Sequence, residues 1–372
     1  MEFTLPVYHE PDFSQAMFVH SPDVNTEQVI KDGVAPDNFH GTSMFPEYFK
    51  INGEWKLAED SRMDCCVVIR ESGKLEVIEL RNLKIGDRVI LGRTDHAEEG
   101  IFLHNSGFTV TEEINEKFLF RAGRSRETAF SKDYDSLYHL LLHEKEFGYI
   151  VWVMGPACAF DADSRNAMSQ LICNGYAHGL LAGNALATHD LEAAYFGTAL
   201  GQDIYTQESK PNGHYHHIEL INRVRRSGSI RKFIDENQIN NGIIASCIRR
   251  EIPIVLTGSI RDDGPLPEVI ADVYQGQDAM RNIIRKATTV ICLATQLHTI
   301  ATGNMTPCFR VVNGKVRPLY IYSVDISEFA LNKLSDRGSL TATSIVTNVQ
   351  DFVVMVANGL QKLEEKPFQS CW

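Results

Sequence analysis

The chain has 372 residues, 44% hydrophobic and 23% charged, with no repeated or low-complexity segment, which is the composition of a folded protein with room for a large and a smaller domain. A formal net charge of -12 disfavours nucleic acid as a partner, and no apolar run approaches the roughly 18 residues of a membrane span or opens the chain as a signal peptide. The eight cysteines (Cys65, Cys66, Cys158, Cys173, Cys247, Cys292, Cys308 and Cys371) are scattered without a CxxC pair, which predicts reduced thiols in a cytoplasmic protein.

Up to about Asn115 the strand candidates are short: "DCCVVIR", "LEVIEL" and "DRVILG", separated by the turn sequences "ESGK" and "KIGD". This punctuation predicts a small β-rich, substrate-side domain over residues 1–115. Just before these runs, Arg62 and Asp64 would share a face if their segment were a strand, either to reach a substrate or to form a structural ion pair. Residues 116–147 turn from polar to amphipathic and predict a connecting segment with an opening helix.

Residues 148–372 read as an α/β domain. The runs "YIVWVMG", "IPIVLTG", "TTVICLA" and "LYIYSVDI" have the continuous apolar character of strands buried on both faces. Helical patterns alternate with them in "SRNAMSQLICNGYAHG", in "THDLEAAYFGTAL", and over about 267–286 and 327–336. A last amphipathic helix begins at a cap on Thr347 or Asn348. The alternation predicts an open parallel sheet covered on both faces, with ligands beyond the carboxyl ends of the strands.

The loops at those ends hold Gly155-Pro156, Gly183-Asn184, the run "GSIRDDG" from Gly258, and Asp325. An acid at a strand tip suits the two hydroxyls of an adenosine ribose, and Asp325 is placed for that role; capping the following "ISEFALNKL" is the alternative. No GxGxxG follows any of the strands. Gly258, Ser259, Gly264, Gly338 and Ser339 can present backbone N–H groups to a pyrophosphate, or only make tight turns. His214, His216 and His217 in "GHYHH", and His189 beside Asp190, lack the spacing of a metal site; no metal is expected, and these histidines suit proton transfer or carboxylate binding, against surface or capping roles. Arg261 offers a two-pronged donor for a carboxylate, with Asp262 or Asp263 beside it for an ammonium or a ribose, although the same residues can simply brace the loop.

The phrases "FHGTSMFPEYFKINGEW", "RMDC", "LLAGNALATHDLEAAYFGTALG", "GHYHHIELIN", "GSIRDDGPLPEV", "LHTIATGNMTP" and "KLSDRGS" are long and unusual. From about Val34 to the final helix the chain resembles the archaeal-type ornithine cyclodeaminase family, also described through the conserved region of bifunctional lysine-ketoglutarate reductase/saccharopine dehydrogenase proteins. The resemblance implies a nucleotide-binding domain similar to the deoxyhypusine-synthase type and an NAD-dependent conversion of L-ornithine to L-proline and ammonia. A hydride leaves Cα, the side-chain amine attacks the resulting imine, ammonia departs, and the hydride returns. The resemblance further implies catalytic roles for His189, Asp190, His217, Arg261 and Asp262. It implies NAD contacts for Asn184, Gly258, Ser259, Asp263, Asn304, Asp325, Asp336, Arg337, Gly338 and Ser339. A homodimer or homotetramer is expected. The length leaves no room for the upstream arginine-dihydrolase domain of bifunctional relatives, so arginine hydrolysis is not expected. "ACAFDADSRN" stands after Gly155-Pro156 where the family tends to carry a His-Thr-Gly-Gly-like stretch. This departure keeps two alternatives open: an NAD-dependent dehydrogenase or imine-forming enzyme for another amino acid, and a non-catalytic ligand-binding regulator.

Overall fold

The computed structural model describes residues 3–108, 131–262, 264–327 and 342–372. After a one-turn helix α1 (Ala16–Val19), short runs bounded by turns form β1 (Asn25–Gln28), β2 (Glu47–Ile51), β3 (Glu54–Leu57), β4 (Cys66–Ile69), β5 (Leu75–Ile78), β6 (Arg88–Leu91) and β7 (Ile101–Leu103). They make two antiparallel sheets, ordered β1-β6-β4-β5 and β3-β2-β7. Phe49 and Ile101 from one sheet and Val67 and Ile90 from the other close a shared apolar core. The segment around Arg62 and Asp64 is not a strand, because Asp64 turns the chain at a positive φ of 61°. Arg62 is buried against Glu79, which also faces Arg281 of the C-terminal region at 3.4 Å, so Arg62 takes the structural role of the two open to it.

Helix α2 (Ser131–Phe147) leads into the second region. Its elements in chain order are β8 (Ile150–Met154), α3 (Ala162–Cys173), β9 (Gly179–Gly183), α4 (Asn184–Phe196), the hairpin β10 (Thr198–Ala199) and β11 (Gln202–Asp203), α5 (His216–Ser227), α6 (Ile230–Glu236), α7 (Ile243–Arg249) and β12 (Ile254–Thr257). There follow α8 (Val273–Ile284), β13 (Thr289–Leu293), α9 (Gln296–Met305), the hairpin β14 (Phe309–Val312) and β15 (Lys315–Pro318), β16 (Tyr320–Asp325), β17 (Ala342–Val346) and α10 (Val349–Glu364). Six of the strands form one parallel sheet in the order β12-β9-β8-β13-β16-β17. Alternate side chains of β8 fill opposite layers: Ile150, Trp152 and Met154 pack with α2, α3 and α10, while Val151 and Val153 pack with α8. Burial on both faces is why the strand sequences read as continuous apolar runs rather than alternating ones. The chain starts in mid-sheet at β8, builds outward through β9 and β12, then crosses back to build outward through β13, β16 and β17. The order therefore reverses between β8 and β13, which is the position where open α/β sheets hold their ligands.

Several boundaries differ from the sequence reading for local reasons. Helix α8 starts at Val273 rather than near Pro267 because Asp272 caps it, accepting from the backbone N–H groups of Tyr274 and Gln275. Helix α4 starts at Asn184, immediately after its strand, rather than at Thr188. Asn348, not Thr347, caps α10. The helix expected over 327–336 lies almost wholly outside the described residues. The expectation of reduced thiols throughout is corrected: Cys173, at the end of α3, is bonded to Cys371 with their Cα atoms 5.4 Å apart, while the other six cysteines are buried free thiols. Hydrogen bonds between Asn174 and Gln369 hold the same tail. Among the described residues no helix is long and apolar enough to cross a membrane.

Trp152 lies fully buried at the centre of the sheet and donates its indole N–H to the Tyr176 carbonyl at 2.7 Å. Trp152→Ala is expected to cost about 3–5 kcal/mol in urea-induced unfolding through lost packing and a new cavity.

Candidate active site

At the reversal point the ends of β8 and β13 come very close. Gly155 donates its N–H to the Leu293 carbonyl at 2.8 Å, and a Cβ on Gly155 would collide with the carbonyl of Ala294, itself held at a φ of 46°. Only glycine fits there. Beyond that contact a cleft of about 530 Å³ opens, walled by the ends of β8, β9, β12 and β13. Helices α4 and α9 both start at this cleft, and neither N-cap residue, Gly183 or Thr295, bonds the first-turn N–H groups through a side chain. Uncapped first-turn donors, with the positive ends of two helix dipoles, suit a pyrophosphate or another anion.

The loop after β12 forms one wall, through Thr257, Ser259, Arg261 and Asp262. Its shape is set by side chains. Asp262 accepts from the Ser259 N–H at 2.8 Å, and the Ser259 hydroxyl accepts from the Arg261 N–H at 3.1 Å. From the first turn of α4, Asn184 accepts from the Leu266 N–H at 3.0 Å and donates to the Gly264 carbonyl at 3.3 Å. Asn184, expected as a cofactor ligand, thus spends its amide as a tether although it also lines the cleft. A Cβ on Gly258 or Gly264 would meet its nearest neighbour at 3.5 and 3.7 Å, ordinary contact distances, so close approach does not require these glycines. Arg261 is exposed at the mouth, and Asp262 combines loop bracing with a place on the wall.

The opposite wall carries His189 and His217, with ring centroids 6.1 Å apart. The buried Nδ1 of His217 has no hydrogen-bond partner among the described residues. The other histidines of "GHYHH" go elsewhere: His214 packs on Tyr215, and His216 bonds the Thr198 hydroxyl at 2.7 Å. Asp190, expected among the catalytic residues, does not line the cleft. It is fully buried behind α4, accepts from Arg165 Nε at 2.9 Å, and caps α7 by accepting from the N–H groups of Ile243 and Ile244 at 3.0 and 2.8 Å. With both oxygens engaged away from the cleft, Asp190 is a structural anchor. Asn304 sits at the far end of α9, where its carbonyl accepts from the Met63 N–H at 3.3 Å and its buried Oδ1 has no partner among the described residues. Asp325 ends β16 at the sheet edge, and its Oδ1 accepts from the Ser327 N–H at 2.8 Å; the segment it would cap lies almost wholly outside the described residues. Asp263, Asp336, Arg337, Gly338 and Ser339 lie outside the described residues.

Two cleft-side residues escaped the sequence reading. His298 lines the cleft and is bonded to the hydroxyls of Thr257 at 2.7 Å and Thr295 at 3.2 Å. Burial lowers its pKa, opposed by the nearby Asp262 carboxylate, so the ring is held toward its neutral form. A Cβ on Gly183 would press within 3.3 Å of this imidazole. Glu192 stands fully buried behind His189, whose Nδ1 it faces at 3.0 Å. The signal was present in both cases: His298 follows the strand "VICLA", and Glu192 lies three residues after His189 on the same helix face.

The strand order and the position of the cleft define the class: a dinucleotide-binding α/β protein of the Rossmann type. Residues 138–356 match the model of the arginine dihydrolase ArgZ-like C-terminal Rossmann fold, and residues 46–105 match the first region of the same C-terminal part. The chain is 36% identical over 358 residues to the ornithine cyclodeaminase of Methanocaldococcus jannaschii, covering 94% of this chain and 80% of that protein. It is 35% identical over 348 residues to the bifunctional arginine dihydrolase/ornithine cyclodeaminase ArgZ of Synechocystis, covering 92% of this chain and 47% of that one. Among solved structures, a conserved LOR/SDH protein from Methanococcus maripaludis superposes with a TM-score of 0.83 at 34% identity, over 92% of this chain and 99% of that chain. The ternary complex of AgrE with ornithine and NAD+ superposes with a TM-score of 0.58 at 32% identity, over 93% of this chain and 47% of that chain. The chain belongs to the ArgZ-like ornithine cyclodeaminase family.

Asp190→Asn is expected to destabilise the fold by about 3–5 kcal/mol, because it leaves Arg165 buried without its counter-charge. Denaturant unfolding combined with steady-state kinetics checks this: a catalytic Asp190 would instead lose turnover at unchanged stability.

Proposed function

We propose that this chain is an NAD-dependent ornithine cyclodeaminase that converts L-ornithine to L-proline and ammonia. The observation that carries the reading is the switch-point cleft, where uncapped helix ends, an arginine and paired histidines meet in a chain 36% identical to an ornithine cyclodeaminase. Bound there, NAD supplies a reversible hydride acceptor for the substrate α-carbon. The first-turn N–H groups of α4 and α9, with Ser259, would hold its phosphates, and Asp325 its ribose. Asn304, with an unpartnered buried Oδ1, and Gly258, Asp263, Asp336, Arg337, Gly338 and Ser339 complete the proposed cofactor set.

Proton accounting explains the rest of the wall. Ornithine enters with two ammonium groups, and each nitrogen sheds a proton before its carbon–nitrogen bond changes. Proline and ammonium together carry the same protons as ornithine, so the site stores protons and gives them back. Two histidines facing one cleft provide two such stores. Arg261 grips the substrate carboxylate, and Asp262 faces the second ammonium. Phe160, Leu200 and Ile221 contribute apolar wall that keeps water from the reacting carbon.

The finer assignments belong to the same proposal. Absence of a GxGxxG turn after β8 supports a deoxyhypusine-synthase-like version of the nucleotide domain. The boundaries are placed at residues 1–115, 116–147 and 148–372. An apolar groove beside the sheet-edge strand β12, with Ile248, Ile252 and Ile254 in its lining, supports a homodimer or homotetramer, and six buried free thiols support a cytoplasmic site of action. Phe160 comes from the stretch that departs from the family pattern after Gly155-Pro156, which favours, as a second reading, a different amino acid in the same cleft.

Mass-spectrometric product screening with ornithine, lysine, arginine and diaminobutyrate, with and without added NAD, is expected to give proline from ornithine alone and only with NAD present. Turnover of another amino acid in its place selects the second reading. Arg261→Lys is expected to raise the KM for ornithine about tenfold with little change in kcat, since a point charge replaces a two-pronged donor. An unchanged KM removes Arg261 from the carboxylate.

A further inference from the structure

Glu192 is a fully buried acid with two polar contacts on each carboxyl oxygen. Oε2 lies 3.0 Å from His189 Nδ1 and accepts from the Leu200 N–H at 3.2 Å. Oε1 accepts from the Thr198 hydroxyl at 2.9 Å and from the Gly201 N–H at 3.0 Å. Because Thr198 has one proton and gives it to Glu192, its oxygen accepts from His216 Nδ1 at 2.7 Å. With the carboxyl oxygens already accepting from Leu200, Thr198 and Gly201, the remaining contact is read as a donation from His189, which places its proton on Nδ1. Its Nε2, which has no protein partner among the described residues, remains a lone pair on the cleft wall.

We propose that Glu192 is a positioning residue that locks His189 in the Nδ1–H tautomer and holds the ring while it stores a substrate proton. The inference rests on the cyclodeaminase reading. In the step it serves, an N–H bond of the substrate α-ammonium breaks and the proton passes to His189 Nε2, leaving the electron pair on nitrogen. NAD takes the hydride, and the stored proton later returns to the nitrogen that departs as ammonia. Protons and electrons balance within the turnover. The competing role is purely structural, in which Glu192 only ties the turn after β10 to α4.

Two readouts separate these roles. Selective 15N-histidine NMR of the wild-type protein, with His189 assigned from the His189→Ala spectrum, reads the tautomer without turnover. A protonated Nδ1 with a bare Nε2 is expected, and the Nε2–H form overturns the proposal. In steady-state kinetics, Glu192→Gln is expected to lower kcat about 100-fold while KM for ornithine and Kd for NAD stay within about threefold. The double variant Glu192→Gln/His189→Ala is expected to be no slower than His189→Ala alone, because a residue acting through another adds nothing once that other is gone. Multiplying losses, or an unchanged kcat in Glu192→Gln, overturns it. If Glu192→Gln does not fold, Glu192→Asp keeps the charge but withdraws it from the ring, and the same kinetic pattern is expected. A wild type that makes no proline counts against the cyclodeaminase reading alone; the tautomer measurement still decides the role of Glu192.

Discussion

Gly155 lies so close to the Ala294 carbonyl that no side chain fits between them, and the site is built outward from that contact. The hydrogen bond from Gly155 to Leu293 holds the ends of β8 and β13 together, and the chain beyond each must then turn to opposite sides of the sheet. One side leads through Pro156 toward α3, the other through Thr295 into α9. The space between them is the cleft. Its walls begin at the ends of strands buried on both faces, a placement that suits chemistry that depends on holding one carbon still.

The register of α4 divides labour among neighbouring polar residues. Successive residues turn by about 100°, so residues three apart share a face while those one or two apart do not. His189 and Glu192 therefore act on the cleft side, while Asp190 turns behind the helix to pair with Arg165 and cap α7. Two buried acids two residues apart point opposite ways: one ties α4 to Arg165 and α7, the other meets the His189 ring. Asn184, at the start of the same helix, fastens the loop after β12. A single helix thus sets an uncapped N-terminus, the His189 ring and the opposing loop in one frame.

Much of this was legible in the sequence. The strands β8, β12, β13 and β16 stood out because burial on both faces makes them continuously apolar, and β4, β5 and β6 because tight turns bound them. Strand β17, "ATSIV", was missed; its polar side chains hide a strand that the parallel ladder with β16 defines. Arg261, Asp262, His189 and His217 do meet at one cleft, whereas Asp190, adjacent to His189 in sequence, turns away from it toward Arg165. Glu192, three residues after His189, and His298, just beyond "VICLA", carried a signal in the sequence that only the placement of α4 and α9 made decisive. The bond between Cys173 and Cys371 spans 198 residues, and no local pattern announces it.

The central claim is that the cleft keeps one carbon against a hydride acceptor and returns the same hydride before product leaves. Ornithine carrying deuterium at Cα, turned over with unlabelled NAD, tests it most directly by the mass of the proline formed. Retention of deuterium at the proline α-carbon is predicted. Proline that has lost the label, with deuterium recovered in released nucleotide or in water, would contradict it.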